Sequence, residues 1–265
     1  MKATRMADAP SSNGSRLGLG KAVVNLLNLE ERERPTTVLA VPEFVPGNYV
    51  LMATRAGLVK KTDLMAYSRP RAGGIIAINL MPDDEMIAAH ITDGTLNVFL
   101  GSADGKAIRF HESDVRPAGR VSQGVRGMKL DKGDEIVSME VLSHGQTLFS
   151  VTENGYGKRT SIDEYPVHRR GGKGVIAIKT TARNGKVVAI LVVAEEDEVM
   201  LMTTIGKVIR TSIRGISIIS RNTQGVTLIG VDPGERVVGA ARLGEKDEDD
   251  PVVREPEEEG RDEPA

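Results

Sequence analysis

Residues 146–193 read QTLFSVTENGYGKRTSIDEYPVHRRGGKGVIAIKTTARNGKVVAILVV. The segment 146–152 is rich in apolar and β-branched residues and predicts a strand. Asn154-Gly155 follows, which predicts a two-residue hairpin turn because both positions tolerate positive φ. Residues 156–161 make the return strand, and an irregular stretch, IDEYPVHRRGGKG, comes next. Residues 175–180 (VIAIKT) predict a third strand, Asn184-Gly185 a second turn, and residues 187–193 (VVAILVV) a fourth strand.

The same plan recurs. Hairpin glycines stand at Gly57 (AGLVKKT), Gly105 (DGKAIRF), Gly155 (NGYGKRT) and Gly206 (IGKVIRT), with second turns near Asp83-Asp84, Lys132-Gly133, Asn184-Gly185 and Pro233-Gly234. A second glycine opens a short apolar run at Gly74 (GIIAINL), Gly124 (GVRGMKL), Gly174 (GVIAIKT) and Gly225 (GVTLIGV), and Gly20 (GKAVVNLL) marks the second half of an earlier unit. A period of about fifty residues with four short strands per unit predicts an all-β, propeller-like stack of blades. A lone four-stranded sheet leaves an apolar face open, so the runs at 75–78, 175–178 and 187–193 should form cores between units. The expected boundaries are blades near 49–98, 99–145, 146–196 and 197–244. Residues 16–48 should be part of a preceding blade, with a leader at 1–15 and an acidic tail at 245–265.

The net charge of −2 is unevenly distributed: residues 245–265 hold eleven acids and three bases, so residues 1–244 carry a net of +6. A basic body with an acidic tail points to a polyanionic partner and a tail that competes for the same surface. Bases recur in register. Four residues after each hairpin glycine stand Lys61, Arg109, Arg159 and Arg210, with Lys60, Lys106, Lys158 and Lys207 close by. Four residues before the second glycine stand Arg16, Arg120, Arg170 and Arg221, with Arg69 and Arg71 flanking Pro70 in the remaining copy. One basic cluster per blade suits a phosphate backbone followed over distance. Gly171, Gly172 and Gly174 would let backbone N–H groups approach phosphate. A solvated strand edge accounts for isolated lysines, but not for arginine at one loop position in every copy but one.

The segment 168–174, HRRGGKG, resembles the QRRGGKG box of the DNA gyrase A C-terminal domain, matching at six of seven positions with His168 in place of glutamine. The segments VNLLNLE, MATRAGLVKKT, GVRGMKL, ENGYGKRTSIDEYP and SRNTQGVTLIG are similar to successive blades of that family, over roughly residues 16–244. The resemblance implies a β-pinwheel with strands exchanged between blades, which wraps double-stranded DNA around a basic rim. Set on the family's six blades, the chain aligns with the end of the second and with blades three to six, truncated at its N-terminal side. The match to the box then falls in the fifth blade, so Arg169, Arg170, Gly171, Gly172, Lys173 and Gly174 take a DNA-contact role by motif and not by blade position. Lys60, Lys61, Arg69, Arg71, Arg109, Arg120, Lys158, Arg159, Arg210 and Arg221 would extend the track.

The family also implies partners, a gyrase A breakage-reunion domain and gyrase B, and a cytoplasmic, nucleoid-associated location. No cofactor is expected. His90, His111, His144 and His168 lack metal-ligand spacing, no P-loop is present, and no paired nucleophile and base stand out, so the chain is not expected to be an enzyme on its own. The alternatives are the corresponding domain of a topoisomerase IV-like protein and a protein-binding propeller with no role on DNA.

Overall fold

The computed structural model describes residues 36–70, 74–143 and 145–243. The leader, Arg16, Gly20, Arg71, His144 and the acidic tail lie outside the described residues. Within the described residues fifteen strands form: β1 Tyr49–Thr54, β2 Leu58–Asp63, β3 Met86–Thr92, β4 Asn97–Ser102, β5 Lys106–His111, β6 Val125–Arg126, β7 Ile136–Leu142, β8 Thr147–Thr152, β9 Tyr156–Ser161, β10 Val175–Ile176, β11 Val187–Val193, β12 Glu198–Thr203, β13 Val208–Ser212, β14 Val226–Thr227 and β15 Val237–Leu243. They assemble into four antiparallel sheets, β3-β1-β2-β6, β7-β4-β5-β10, β11-β8-β9-β14 and β15-β12-β13. The helical elements among the described residues are single 3-10 turns, such as Glu112–Asp114 and Ile162–Glu164.

The hairpin turns differ in type from the sequence expectation. Asn154-Gly155 does not make a turn with two positive φ angles. The Gly155 N–H donates to Thr152 O at 3.0 Å, and Gly155 alone is left-handed at φ +77°. This is a three-residue loop, a turn followed by one left-handed glycine, and it recurs at Gly57, Gly105 and Gly206. The second turns also have positive φ, at Asp83, Gly133, Gly185 and Gly234.

Where a third strand forms, it is shorter than its apolar run predicts, and it belongs to a neighbouring sheet. Only Val175–Ile176 of the run 175–180 pairs, and it pairs with β5 of the preceding unit, Val175 opposite Ala107. In the same way β6 joins β2 and β14 joins β9. Residues 74–80 form no strand. Immediately after each exchanged strand the chain turns inward. Ala177 and Ile178 both donate their N–H groups to Gly105 O, and Leu228 and Ile229 do the same to Gly155 O. This closeness is why the two glycine series exist. A Cβ on Gly105 would collide with Ile178 O, and one on Gly174 would collide with Ala107 O.

Buried clusters fill the spaces between sheets. Leu51 and Val59 of the first sheet meet Leu100, Ile108 and Phe110 of the second. Phe99 of the second meets Leu148, Ile178 and Ile190 of the third, and its ring lies edge-on to Tyr165 at 5.2 Å between centroids. Phe149 and Val193 of the third meet Val199, Leu201 and Ile213 of the fourth. Both faces of an inner sheet are therefore covered, and β11 is buried on both sides. A bulge at Val188 breaks its alternation: Val187 pairs with Thr152 and Ala189 with Val151. The bulge places Val187, Ile190 and Val192 in one core and Ala189 and Val193 in the next. The equivalent strands β3, β7 and β15 bulge at Ile87, Val137 and Val238.

Candidate nucleic-acid interface

Strands β3, β7, β11 and β15 pack against one another in succession, so the exchanged strands β6, β10 and β14 lie on the opposite, outer edge. The exchanged strands β6 and β10 are each overlaid by the irregular loop of the next unit. The Gly171 N–H donates to Gly127 O at 2.5 Å, and the Lys129 N–H donates to Gly172 O at 2.8 Å. One unit on, the Lys179 N–H donates to Thr223 O at 2.8 Å, and one unit back the Asn79 N–H donates to Ser122 O at 3.0 Å. The loops carrying the repeated arginines are thus stacked side by side along one outer edge.

On this edge Arg169 and Lys173 are exposed, as is Arg69 further along. Three more exposed bases stand on the exchanged segments themselves: Arg126, Lys129 and Lys179. Sequence reasoning misses them. For Lys129 and Lys179 the signal is a lysine five residues after the opening glycine in GVRGMKL and GVIAIKT; Arg126 has no counterpart in GVIAIKT.

Several expected contacts are corrected. Lys60 and Lys158 are 1% and 0% exposed. Lys158 Nζ donates to Ser220 O at 2.7 Å, to Arg221 O at 2.5 Å and to Thr223 Oγ1 at 3.2 Å. Lys60 Nζ donates to Ala77 O at 2.7 Å and to Arg120 O. Burial pulls both ammonium groups down to about 8. They hold the arginine-bearing loops from beneath and do not face a rim.

The bases four residues after the hairpin glycines are staples as well. Lys61 Nζ donates to Glu112 O at 3.0 Å, Arg109 Nη1 to Ile162 O at 3.1 Å and Tyr165 O at 3.3 Å, and Arg159 Nε to Ile216 O at 2.6 Å. Each base binds a carbonyl at the 3-10 turn of the next blade; the Glu112 and Ile162 carbonyls also accept the turn's own N–H, from Val115 and Tyr165, so the base takes the second lone pair. Lys61 and Arg159 are 4% exposed and Arg109 is half-buried, so these three do not extend the track. Arg210 on β13 is exposed and ion-paired to Glu198.

The loop arginines are half committed. Arg170 donates from Nε to Asp114 O at 2.8 Å and from Nη1 to Arg126 O at 3.0 Å. Arg221 repeats this with Nη1 to Ile176 O at 3.1 Å. Arg120 is half-buried above Lys60. The box glycines divide by role. Gly174 is required by the seam, and the Gly171 N–H is taken by Gly127. Gly172 is exposed, with only Ile108 Cδ1 at 3.6 Å from an added Cβ. Lys173 Nζ is ion-paired to Asp131 at 3.0 Å, and Asp131 also binds Lys106. These two lysines hold the Asp131 carboxyl down to about 2.

The sequence model of a family described as "DNA gyrase C-terminal domain, beta-propeller" matches the chain in four segments, 48–93, 96–143, 146–194 and 197–243. The chain belongs to this family. Over 250 residues it is 46% identical to the DNA gyrase A protein of Salmonella typhimurium, covering 94% of this chain and 28% of that protein. Over 232 residues it is 47% identical to the DNA gyrase A protein of Escherichia coli, covering 87% of this chain and 26% of that protein. The chain therefore spans about a quarter of the length of these relatives. Among solved structures, the gyrase A C-terminal domain superposes with a TM-score of 0.75 at 28% identity, covering 84% of this chain and 75% of that one. The C-terminal domain of DNA topoisomerase IV gives 0.79 at 27%, covering 84% and 70%. The four antiparallel sheets are those of this propeller family. Among the described residues no cluster of His, Asp and Glu could hold a metal ion, and no helix is long and apolar enough to cross a membrane.

Proposed function

We propose that this chain binds and bends double-stranded DNA along its outer edge, with little sequence preference, as the wrapping domain of a gyrase A protein. The observation that carries this reading is the stack of interlocked loops that places Arg126, Lys129, Arg169, Lys173 and Lys179 on one edge. Such bases contact phosphates, and among the described residues no helix or long ribbon projects to read base edges. The half-buried Arg120, Arg170 and Arg221 stiffen the track and add charge to it. Residues 16–244 form the DNA-binding unit in this reading, with 1–15 and 245–265 as appended segments. The chain itself is non-catalytic: strand cleavage belongs to the breakage-reunion domain of gyrase A, ATP hydrolysis to gyrase B, its partners in a cytoplasmic, nucleoid-associated enzyme. The identities to gyrase A proteins support this reading over a topoisomerase IV one.

The test is fluorescence anisotropy with duplexes of unrelated sequence. Replacing Arg169 and Lys173 together by Gln should weaken all duplexes alike and lower the slope of log K against log salt by about 2, since each phosphate contact contributes about 0.9. An unchanged slope would move the DNA off this edge.

A further inference from the structure

The two ends of the stack carry the two halves of one seam. Each of the first three sheets takes its outermost strand from a later unit, but the fourth is β15-β12-β13, and among the described residues no strand lies beyond β13. The packing around its hairpin is open as well. A Cβ on Gly105 would collide with Ile178 O, whereas one on Gly206 would meet nothing within 4 Å. Two residues after the hairpin glycine, Val59 and Ala107 are 0% exposed and Val208 is 54% exposed, with Ile205 nearby at 68%. Arg210 holds the place of Lys61, Arg109 and Arg159, yet it is exposed where they are covered. At the other end, residues 74–80 form no strand, although they carry the pattern of an exchanged segment.

These halves match a pair already built inside the protein. Residues 174–178 (GVIAI) meet residues 106–109 (KAIR), with Val175 opposite Ala107 and Ile176 opposite Lys106. Residues 74–78 (GIIAI) differ from the first segment only at Ile75, and residues 207–210 (KVIR) differ from the second only at Val208. A valine at that acceptor position already fits another seam, where Val59 lies opposite Val125. Gly74 also keeps the bare Cα that the Ala107 carbonyl requires of Gly174.

We propose that the edge of β13 takes residues 74–78 of a second copy as its fourth strand, with Ile75 opposite Val208 and Ile76 opposite Lys207, so that copies join head to tail. The open backbone groups of an edge strand supply the affinity, and the matched side chains supply the register. Such a contact builds a ring where the rotation closes and a filament where it does not. The proposal does not depend on DNA binding.

The chain has no cysteine, so introduced cysteines report the contact. Ile76→Cys and Lys207→Cys chains, mixed and treated with a short bismaleimide, should link about ten-fold faster than either variant alone, because pairing raises the effective concentration of the two thiols. The double variant should give dimers and larger species whose yield falls on dilution. Sedimentation velocity of the unaltered chain should show a coefficient that rises with concentration. Val208→Glu puts a charge where the seam would close and should abolish that rise, at an unchanged melting temperature because the side chain is exposed. Equal cross-linking in mixed and unmixed samples, or a coefficient unmoved by concentration or by Val208→Glu, would overturn the proposal. So would an intrachain link in the double variant that is indifferent to dilution, which would mean closure within one chain.

Discussion

Lys158 Nζ stands 2.5 Å from the backbone oxygen of Arg221, so a buried lysine of the third blade carries the arginine loop of the fourth. Replacing it by Met should leave the Arg221 carbonyl unpaired and lower stability by about 1–3 kcal/mol. Urea unfolding of Lys158→Met measures this. A variant as stable as the parent would return the lysine to the surface contacts.

Arg169 and Arg170 are adjacent in sequence and opposite in role. Arg170 is tied to Asp114 and Arg126, while Arg169 is exposed. Arg170→Gln should cost about 1–2 kcal/mol, by loss of hydrogen bonds from a charged group. Arg169→Gln should lie within about 0.5 kcal/mol of the parent while weakening DNA binding. Equal melting points for the two variants would contradict this division.

Asp131 holds Lys173 and Lys106 in a local ion-pair network at the outer edge. A phosphate approaching Lys173 must compete with that carboxylate. Asp131→Asn should therefore tighten DNA binding, most at low salt, where exposed charges are least screened. Anisotropy titrations at two ionic strengths are the measurement. Weaker binding in the variant would mean that the carboxylate positions Lys173 and does not compete for it.

Glu140 on β7 is pushed up to about 7 by burial, against the opposing pull of Arg242 and of a backbone bond from Val192. The unfolded carboxyl titrates near its ordinary value of about 4.3. Between about 4.3 and 7 the folded chain binds the extra proton, so this group's contribution to stability falls as pH rises through that window. Glu140→Gln removes the titration. The variant should be more stable than the parent above about pH 7, with the advantage vanishing near about pH 4.3, the two titration points. A constant difference across the range, by thermal melts at each pH, would show that Glu140 is not the group.

Much of the fold is legible because it rests on local chemistry. The glycines at 57, 105, 155 and 206 can be read as turns from their neighbours alone, and the structure gives each a positive φ. The glycines at 124, 174 and 225 are legible as a series, but their reason is not. Gly174 is there because Ala107, far back in the chain, comes within reach of its missing Cβ. The edge proposed for DNA is half legible. Arg169 and Lys173 stand out by motif, while Lys129 and Lys179 lie in the repeated segments without being singled out. Lys60, Lys61, Lys158 and Arg159 recur with the blade period just as a phosphate track would, because contacts between successive blades repeat with the same period. Periodicity of charge therefore does not separate a rim from a seam.

The repeating unit is written along the chain: four short strands, two turns and one basic loop about every fifty residues, together with the family to which that unit belongs. Strand propensity, left-handed glycines and motif spacing are properties of a residue and its neighbours in sequence. Which sheet each short strand completes, and which bases lie beneath the next blade, emerge only when the blades pack. Burial is set by the surface another blade lays down. A lysine with carbonyls within reach of its Nζ is held inside, where the same lysine with water above it would meet a phosphate.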